Sequence, residues 1–180
     1  TAVGLGITKF RITGGEPLTR PGITDFLGML RRTPGVEWVS LTTNGFMLAR
    51  YYQDLKRIGL NGINVSLNSL DETTFERMTG VRAFRQVLTG LEALWTAGVD
   101  NVKINTVIMR GINDGEIFGL AALTITRPIV LRFIEYMPCG LTEPGAPAHP
   151  VGGDATESPD ATWRGENWEQ KKDSSRLTIP

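Results

Sequence analysis

The segment Lys9-Phe-Arg-Ile-Thr-Gly-Gly-Glu-Pro17 indicates how the chain folds. Its first five residues alternate polar and apolar side chains, a pattern typical of a β-strand with one face packed on a core. The apolar pair Phe10 and Ile12 shares one face, and the other face carries Lys9, Arg11 and Thr13. Two glycines and a proline follow, so we expect the strand to end in a turn.

Similar strand patterns recur along the chain and alternate with helical patterns. The predicted strands are residues 9–13, 38–43, 63–68, 102–109 and 130–136. The predicted helices are residues 23–32, 48–58, 73–78 (after the acidic start Asp71-Glu72), 84–97 and 114–123. Gly35, Gly59 and Gly98 follow helix ends, where a left-handed residue is favoured. Repeated β-then-α units imply parallel strands, in either an open doubly wound sheet or a barrel.

Composition limits the class of protein. The 180 residues carry 19 Lys and Arg against 19 Asp and Glu, and 41% are hydrophobic, which suits one soluble globular domain. No apolar run approaches the roughly 18 residues that cross a bilayer, so we expect no membrane partner. The balanced charge argues against a general nucleic-acid binder.

The composition changes after residue 138. Residues 139–180 contain five prolines and five glycines, but from the Leu, Ile, Val and Phe group they hold only Leu141, Val151, Leu177 and Ile179. Such a segment buries too little apolar surface to offset the entropy lost on ordering. We therefore predict an ordered α/β part over residues 1–138 and a Pro/Gly-rich, largely irregular tail over residues 139–180.

The polar faces of the predicted strands carry a set of basic residues. By alternation, Arg11, Lys103 and Arg132 lie on the face opposite the apolar residues and would line a shared interior. An uncompensated buried charge costs several kcal/mol, so we expect a polyanion there, such as a phosphorylated nucleotide held by arginine forks and a lysine. Glu16 and Glu135 could pair with some of these residues. The alternative is that the basic residues lie at the rim, solvated or paired with acids carried by the helices.

Four motifs fall at the predicted carboxyl ends of strands, where α/β folds bind their ligands. They are Gly14-Gly-Glu-Pro17, Thr42-Thr-Asn-Gly45, Ser66-Leu-Asn68 and Arg132-Phe-Ile-Glu-Tyr-Met-Pro138. Adjacent glycines let a backbone approach a ligand closely, and the following glutamate is suited to an ammonium group. Each motif alone is a weak signal.

Taken in order, five segments strongly resemble the radical S-adenosylmethionine (SAM) enzymes and, among these, the GTP 3′,8-cyclases of molybdenum-cofactor biosynthesis. The segments are Arg11-Ile-Thr-Gly-Gly-Glu-Pro-Leu18, Leu41-Thr-Thr-Asn-Gly45, Ile63-Asn-Val-Ser-Leu67, Val102-Lys-Ile-Asn-Thr-Val-Ile-Met-Arg-Gly-Ile-Asn-Asp114 and Leu131-Arg-Phe-Ile-Glu-Tyr-Met-Pro138. The resemblance implies an α/β fold, a partial (β/α) barrel with about five parallel strands in this chain. It also implies that a four-iron four-sulfur cluster reductively cleaves SAM. The resulting 5′-deoxyadenosyl radical would remove a hydrogen from the ribose of GTP, which starts the rearrangement toward a pterin precursor.

The resemblance also implies roles for particular residues. The set expected to contact SAM is Gly14, Gly15, Glu16, Thr42, Ser66 and Met137. The set expected to face GTP is Arg11, Lys103, Asn105 and Arg132. The second set contains the three basic residues that strand alternation selects independently.

The chain departs from the family pattern in its cysteines. Its single cysteine, Cys139, cannot complete an iron–sulfur site, so we assign no metal ligand and no catalytic residue. We expect the family's first strand and C-x-x-x-C-x-x-C loop before Thr1, and its second set of three cysteines beyond Pro180. The chain is therefore interpreted as a truncated form that is inactive by itself. Asn68 stands where the family usually has Asp.

Two alternative functions stay open at this stage. One is another radical SAM enzyme, acting on a peptide or a different nucleotide. The other is a catalytically dead nucleotide-binding or scaffold module whose acidic tail recruits a partner. For the cyclase, the expected partners are GTP, a second copy of the chain and a pterin-synthesis protein acting on the product. The expected location is the cytoplasm, or the mitochondrion in a eukaryote, with any targeting segment upstream of Thr1.

Overall fold

The computed structural model describes residues 2–137, which form one parallel sheet and its connecting helices. The strands are β1 (Lys9–Ile12), β2 (Trp38–Thr43), β3 (Gly62–Ser66), β4 (Val102–Ile108) and β5 (Ile129–Glu135). The helices are α1 (Ile23–Arg32), α2 (Leu48–Ile58), α3 (Glu72–Thr79), α4 (Phe84–Thr96) and α5 (Ile117–Thr126). The segment predicted to be irregular, residues 139–180, lies outside the described residues.

Strand order identifies the architecture. The sheet runs β1-β2-β3-β4-β5, and every neighbouring pair is parallel. A doubly wound sheet reverses its strand order at a switch point, and none occurs here, so that alternative was wrong for these five strands. Because each crossover advances in the same direction with the same hand, the helices lie on one side of the sheet. The structure is thus the wall of a partial (β/α) barrel.

The core lies between that side of the sheet and the helices. Val39, Leu41, Val65 and Ile104 are completely buried there. Gly90 allows α4 to approach α2 closely, since a Cβ atom at this position would lie 2.5 Å from Leu48 Cβ. The alternation of apolar residues in the sequence therefore corresponds to the face that the helices cover.

Helix ends follow local chemistry. The Asp71 side chain caps α3 by accepting a hydrogen bond from Thr74 N at 2.7 Å, and this bond lowers the pKa of Asp71 below its ordinary value of 3.8. Gly59 ends α2 in the left-handed conformation, with φ 68°, as predicted for a glycine after a helix. Gly35 and Gly98 also have positive φ.

A few boundaries differ from the predictions. The helix predicted over residues 114–123 begins instead as a 3-10 turn, Asp114–Glu116, and α5 continues to Thr126. Strand β3 ends at Ser66 rather than at residue 68, because side chains take over the pairing with β4 after the backbone bond from Leu67 N to the Asn105 carbonyl. None of the described helices has the length and hydrophobicity needed to cross a lipid bilayer.

Candidate functional site

The face of the sheet opposite the helices is mainly polar, and we call it the open face. Strand register places the following polar side chains on it: Lys9, Arg11, Ser40, Thr42, Asn64, Ser66, Lys103, Asn105 and Arg132. The apolar residues on the same face are Trp38, Val107, Val130 and Ile134. All four predicted GTP-facing residues are in this set, together with Thr42 and Ser66 from the predicted SAM-facing set. The described strands contribute no carboxylate to the open face, since Glu135 pairs with Ile108 and its side chain lies on the other face of the sheet.

The basic residues of the open face carry uncompensated charge. Within residues 2–137, the ion pairs are Asp54 with Arg57, Glu76 with Arg82, Glu72 with Arg85 and Glu92 with Arg127. Arg11, Lys103 and Arg132 take part in none of them, so pairing with Glu16 or Glu135 does not occur in this part of the chain. A face with several cations and no carboxylate attracts anions.

One cation is held by a chain of hydrogen bonds across the sheet. Arg132 Nη2 on β5 donates to Asn64 Oδ1 on β3. Asn64 Nδ2 in turn donates to the Leu41 carbonyl at 3.2 Å and to Thr42 Oγ1 at 3.4 Å. Asn64 is 4% exposed, so its amide is fixed by these contacts and the guanidinium has a defined place.

Two buried polar atoms on the open face have no hydrogen-bond partner among the described residues. They are Arg132 Nε, a donor, and Asn105 Oδ1, an acceptor. The two residues face each other in adjacent strands. Because buried polar groups in native proteins are nearly always paired, this donor and acceptor suit a ligand that offers the complementary groups.

The glycine pair after β1 leaves space for a ligand next to the backbone. A Cβ atom at Gly14 or Gly15 would meet no atom within 4 Å. Gly14 has φ +146°, a conformation that favours glycine. Backbone amide and carbonyl groups without side chains are therefore accessible at this strand end, and their contact with a cofactor stays a prediction.

Glu16 has a structural task that the sequence did not indicate. Its Oε1 accepts hydrogen bonds from Leu18 N at 3.0 Å and Thr43 Oγ1 at 2.7 Å, and its Oε2 accepts one from Asn44 N at 2.7 Å. A carboxylate offers about four acceptor positions, so three are already used. The side chain joins the loop after β1 to the loop after β2, and its role as an ammonium ligand stays a prediction.

A cavity of about 460 Å³ opens beside the carboxyl ends of β2 and β3. Ser66 and Asn68 line it together with Asn44, and Phe75 and Val87 supply apolar walls. Met137, the remaining predicted cofactor contact, follows β5 and is 67% exposed. The cavity combines apolar surface with a few polar groups, as small-molecule sites do.

Sequence reasoning missed several residues that belong to this site. Lys9 shares the open face with Arg11, and the alternation of β1 was sufficient to place it there. Asn64 could be placed on the same face, but its contact with Arg132 has no sequence signal. Asn113 and Glu116 join the loops after β3 and β4; in the sequence Asn113 was considered only as part of a motif and Glu116 only as part of a predicted helix.

Metal-ligating side chains do not gather in the part of the chain that the structure describes. Residues 2–137 hold no group of three or more His, Cys, Asp or Glu side chains placed to bind a metal ion. The full sequence has one cysteine and one histidine. These residues therefore do not fit an iron–sulfur cluster, which needs several thiolates.

Comparison with known proteins gives consistent matches. Residues 1–123 match the family model of the radical SAM superfamily. The chain is 47% identical over 138 residues to a GTP 3′,8-cyclase of Petrotoga mobilis, which covers 77% of the chain and 43% of that protein. A GTP 3′,8-cyclase of Geobacter sulfurreducens is 46% identical over 151 residues, covering 80% of the chain and 46% of the relative. The chain thus spans less than half the length of these relatives.

A solved structure supports the fold. The structure of TYW1 with a lysine-pyruvate adduct bound aligns with a TM-score of 0.59 at 20% identity. The alignment covers 74% of this chain and 43% of that one. At this identity the likeness concerns the architecture alone, and it agrees with the sheet order described above.

Proposed function

The chain belongs to the radical SAM superfamily, and on that basis we propose that it forms substrate and cofactor walls of a GTP 3′,8-cyclase, the activity for which its curated relatives are named. The observation that carries the proposal is the open face, with four cations and no carboxylate on the described strands. GTP is a polyanion, and arginine and lysine are the residues suited to its phosphates.

The triphosphate is assigned to Arg11, Lys103 and Arg132. Arg132 supports this role because Asn64 holds one end of its guanidinium while Nε has no partner among residues 2–137. Asn105 Oδ1 beside it is an acceptor and suits a ligand hydroxyl or N–H. A ligand that bonds to both Arg132 Nε and Asn105 Oδ1 must carry a hydrogen-bond acceptor and a donor, and a simple anion carries only acceptors.

SAM is assigned to the carboxyl end of the sheet, near Gly14, Gly15, Thr42, Ser66 and Met137. The open space at the glycine pair supports this assignment, because a ligand there can bond to the backbone itself. When bound, SAM supplies the group from which the chemistry of this superfamily starts. In this proposal the task of these residues is to hold it at one end of the phosphate-binding face, and Glu16 holds the loops in place.

We propose that these 180 residues do not begin the reaction by themselves. An iron–sulfur cluster is the implied electron donor, and a chain with one cysteine does not supply its ligands. No reaction step is therefore assigned to residues of this chain. Anaerobic reconstitution with iron and sulfide, followed by visible absorption, tests the point, and a stoichiometric cluster would contradict it.

A second candidate is a nucleotide-binding module without catalytic activity, and the single cysteine favours it. Both candidates predict binding of GTP to the open face, but only the cyclase predicts binding of a SAM analogue as well. Titration of S-adenosylhomocysteine into the 180-residue chain therefore separates them. Competition between GTP and ATP tests the remaining alternative, a radical SAM enzyme with a different nucleotide.

Isothermal titration of the 180-residue chain tests the proposed substrate. We expect GTP to bind more tightly than guanosine, because the phosphates provide the main contacts, and Arg132→Ala to lower GTP affinity by about tenfold or more. The matched control is Arg77→Ala, an exposed arginine in the last turn of α3. Equal affinity for GTP and guanosine, or an equal loss in both variants, would refute the assignment.

A further inference from the structure

The loops after β3 and β4 are joined by side chains where the two strands stop pairing. The last register pair is Ser66 with Asn105, and the last backbone hydrogen bond runs from Leu67 N to the Asn105 carbonyl at 3.0 Å. Beyond it, the Thr106 hydroxyl donates to the Leu67 carbonyl at 2.6 Å, and Asn68 Oδ1 accepts from Val107 N at 3.0 Å. Side chains thus satisfy backbone groups that strand pairing would otherwise satisfy.

Asn113 connects the two segments. It is 1% exposed. Its Nδ2 donates to the carbonyls of Asn68, at 2.6 Å, and Val107, at 2.8 Å, and its Oδ1 accepts from Met109 N at 2.7 Å. Because both ends of the amide are used, a change of side chain here leaves buried backbone groups unpaired.

Glu116 fixes the residues that come directly after Asn68. Its carboxylate accepts hydrogen bonds from Ser69 Oγ at 2.8 Å and from Leu70 N at 2.6 Å. Ser69 is completely buried, and its Oγ also accepts from Asp71 N at 2.9 Å. The carboxylate therefore joins the start of α5 to the loop that precedes α3.

These contacts determine which way the Asn68 amide points. Since Val107 N needs an acceptor, the oxygen of the amide must face it, and Nδ2 is left without a hydrogen bond to residues 2–137. Asn68 and Ser66 both line the 460 Å³ cavity. The Asn68 Nδ2 donor therefore lies at the cavity wall, and the residues that hold it there, Asn113 and Glu116, do not line the cavity.

We propose that Asn113 and Glu116 are positioning residues, which hold residues 67–70 in one conformation and so fix the Asn68 side chain at the cavity, next to Ser66. The assignment of SAM to the carboxyl end of the sheet, where Ser66 lies, rests on the proposed function, but the positioning does not. Neither residue needs to contact a ligand for its replacement to change binding.

Hydrogen exchange in the ligand-free 180-residue chain tests the positioning. In Glu116→Gln the amide oxygen cannot replace both carboxylate oxygens as acceptors, so exchange at Leu70 N should rise. The decisive amide is Val107, which is bonded to Asn68 and not to Glu116. We expect its exchange to rise by about tenfold while that of Ile104, in the middle of β4, is unchanged.

The matched control is Asp114→Asn, because Asp114 accepts a hydrogen bond only within its own loop, from Gly111 N. If exchange at Val107 is unchanged in Glu116→Gln, Glu116 only accepts the hydrogen bond from Leu70 N and does not position Asn68, which would overturn the proposal. An equal rise at Ile104 would indicate general destabilisation and would also overturn it. Ser69→Ala removes the other half of the contact and decides the matter if Glu116→Gln does not fold.

Ligand binding gives a second readout. We expect Glu116→Gln to lower the affinity for S-adenosylhomocysteine by about tenfold and to leave GTP affinity within about twofold, while Asp114→Asn changes neither. A merely structural role would lower both affinities together. If the unchanged chain binds no S-adenosylhomocysteine, the cofactor part of the proposed function fails, and the exchange experiment still decides the positioning.

Discussion

Arg132 on β5 donates a hydrogen bond to Asn64 on β3, so its side chain passes over β4 on the open face. Adjacent strands lie about 4.8 Å apart, and the contact therefore joins positions about two strand spacings from each other. The guanidinium is held near the middle of the sheet instead of at its β5 edge. This places its charge beside Lys103, the register neighbour of Asn64.

Asn64→Asp tests whether that charge serves a ligand. A carboxylate at this position would pair with Arg132 and neutralise it, so we expect GTP affinity to fall by about tenfold or more in isothermal titration. Gln53→Glu, which adds the same charge on exposed α2, is the control. Unchanged affinity in Asn64→Asp would mean that the phosphates bind elsewhere.

Glu16→Gln tests the link between the loops after β1 and β2. The glutamine keeps the size of the side chain but replaces one acceptor oxygen with a donor, which would face Asn44 N or Thr43 Oγ1. We expect the free energy of unfolding in urea to fall by about 1–3 kcal/mol. Glu37→Gln, which affects only an exposed bond from Thr8, should change it by less than about 0.5 kcal/mol.

Two glycine-to-alanine substitutions should have opposite effects on stability. At Gly90 the new Cβ would lie 2.5 Å from Leu48 Cβ and 3.1 Å from Ala49 N, so α4 must move away from α2. We expect a loss of about 1–3 kcal/mol. At Gly119 in α5 the nearest atom to a new Cβ would be Leu70 Cδ1 at 3.6 Å. Because alanine loses less conformational entropy on folding than glycine does, Gly119→Ala should raise the free energy of unfolding by up to about 1 kcal/mol. Thermal denaturation measures both, and stabilisation by Gly90→Ala would contradict the close contact.

Asp71 predicts a pH dependence for the stability of α3. The hydrogen bond from Thr74 N lowers its pKa in the folded chain below 3.8, so the ionised form stabilises the fold. That contribution is present above the unfolded value and disappears as the pH falls through the folded value. The deficit of Asp71→Ala relative to the unchanged chain should therefore be constant near neutral pH and shrink below about pH 4.

Asp71→Asn serves as the control for that measurement, because asparagine is an equally good N-cap but does not titrate. Its stability relative to Asp71→Ala should stay constant across the same pH range. If the loss of stability in Asp71→Ala instead grew as the pH fell, the folded chain would favour the protonated form of Asp71, contrary to the capping geometry.

Local alternation was sufficient to predict the main features of the sheet. Ile63 and Val65 are buried under the helices, while Asn64 and Ser66 face the other way. Neighbouring strands keep this division, because residues paired across parallel strands have their side chains on the same face of the sheet. The open face with Arg11, Lys103 and Arg132 was therefore predictable before any coordinates. Strand order was not, since the same β-then-α pattern suits a doubly wound sheet as well.

The contacts that hold the site together were not predictable from the sequence. Glu16 bonds to residues 27 and 28 positions away, and Glu116 bonds to Ser69, 47 positions away. Such contacts depend on how closely the loops approach, and periodicity carries no information about that. The end of β3 at Ser66 was missed for the same reason, because it depends on side chains from β4 and the loop after it.

The sequential strand order has a consequence for how the chain is made. Each strand pairs with the one just before it in the sequence, and the first paired residues lie 29, 22, 39 and 27 positions apart for the four successive pairs. From β2 onward, each of these strands therefore finds a partner already synthesised when it leaves the ribosome. Assembly of the five described strands can advance one unit at a time from β1 towards β5, because each pairing needs only the next unit along the chain.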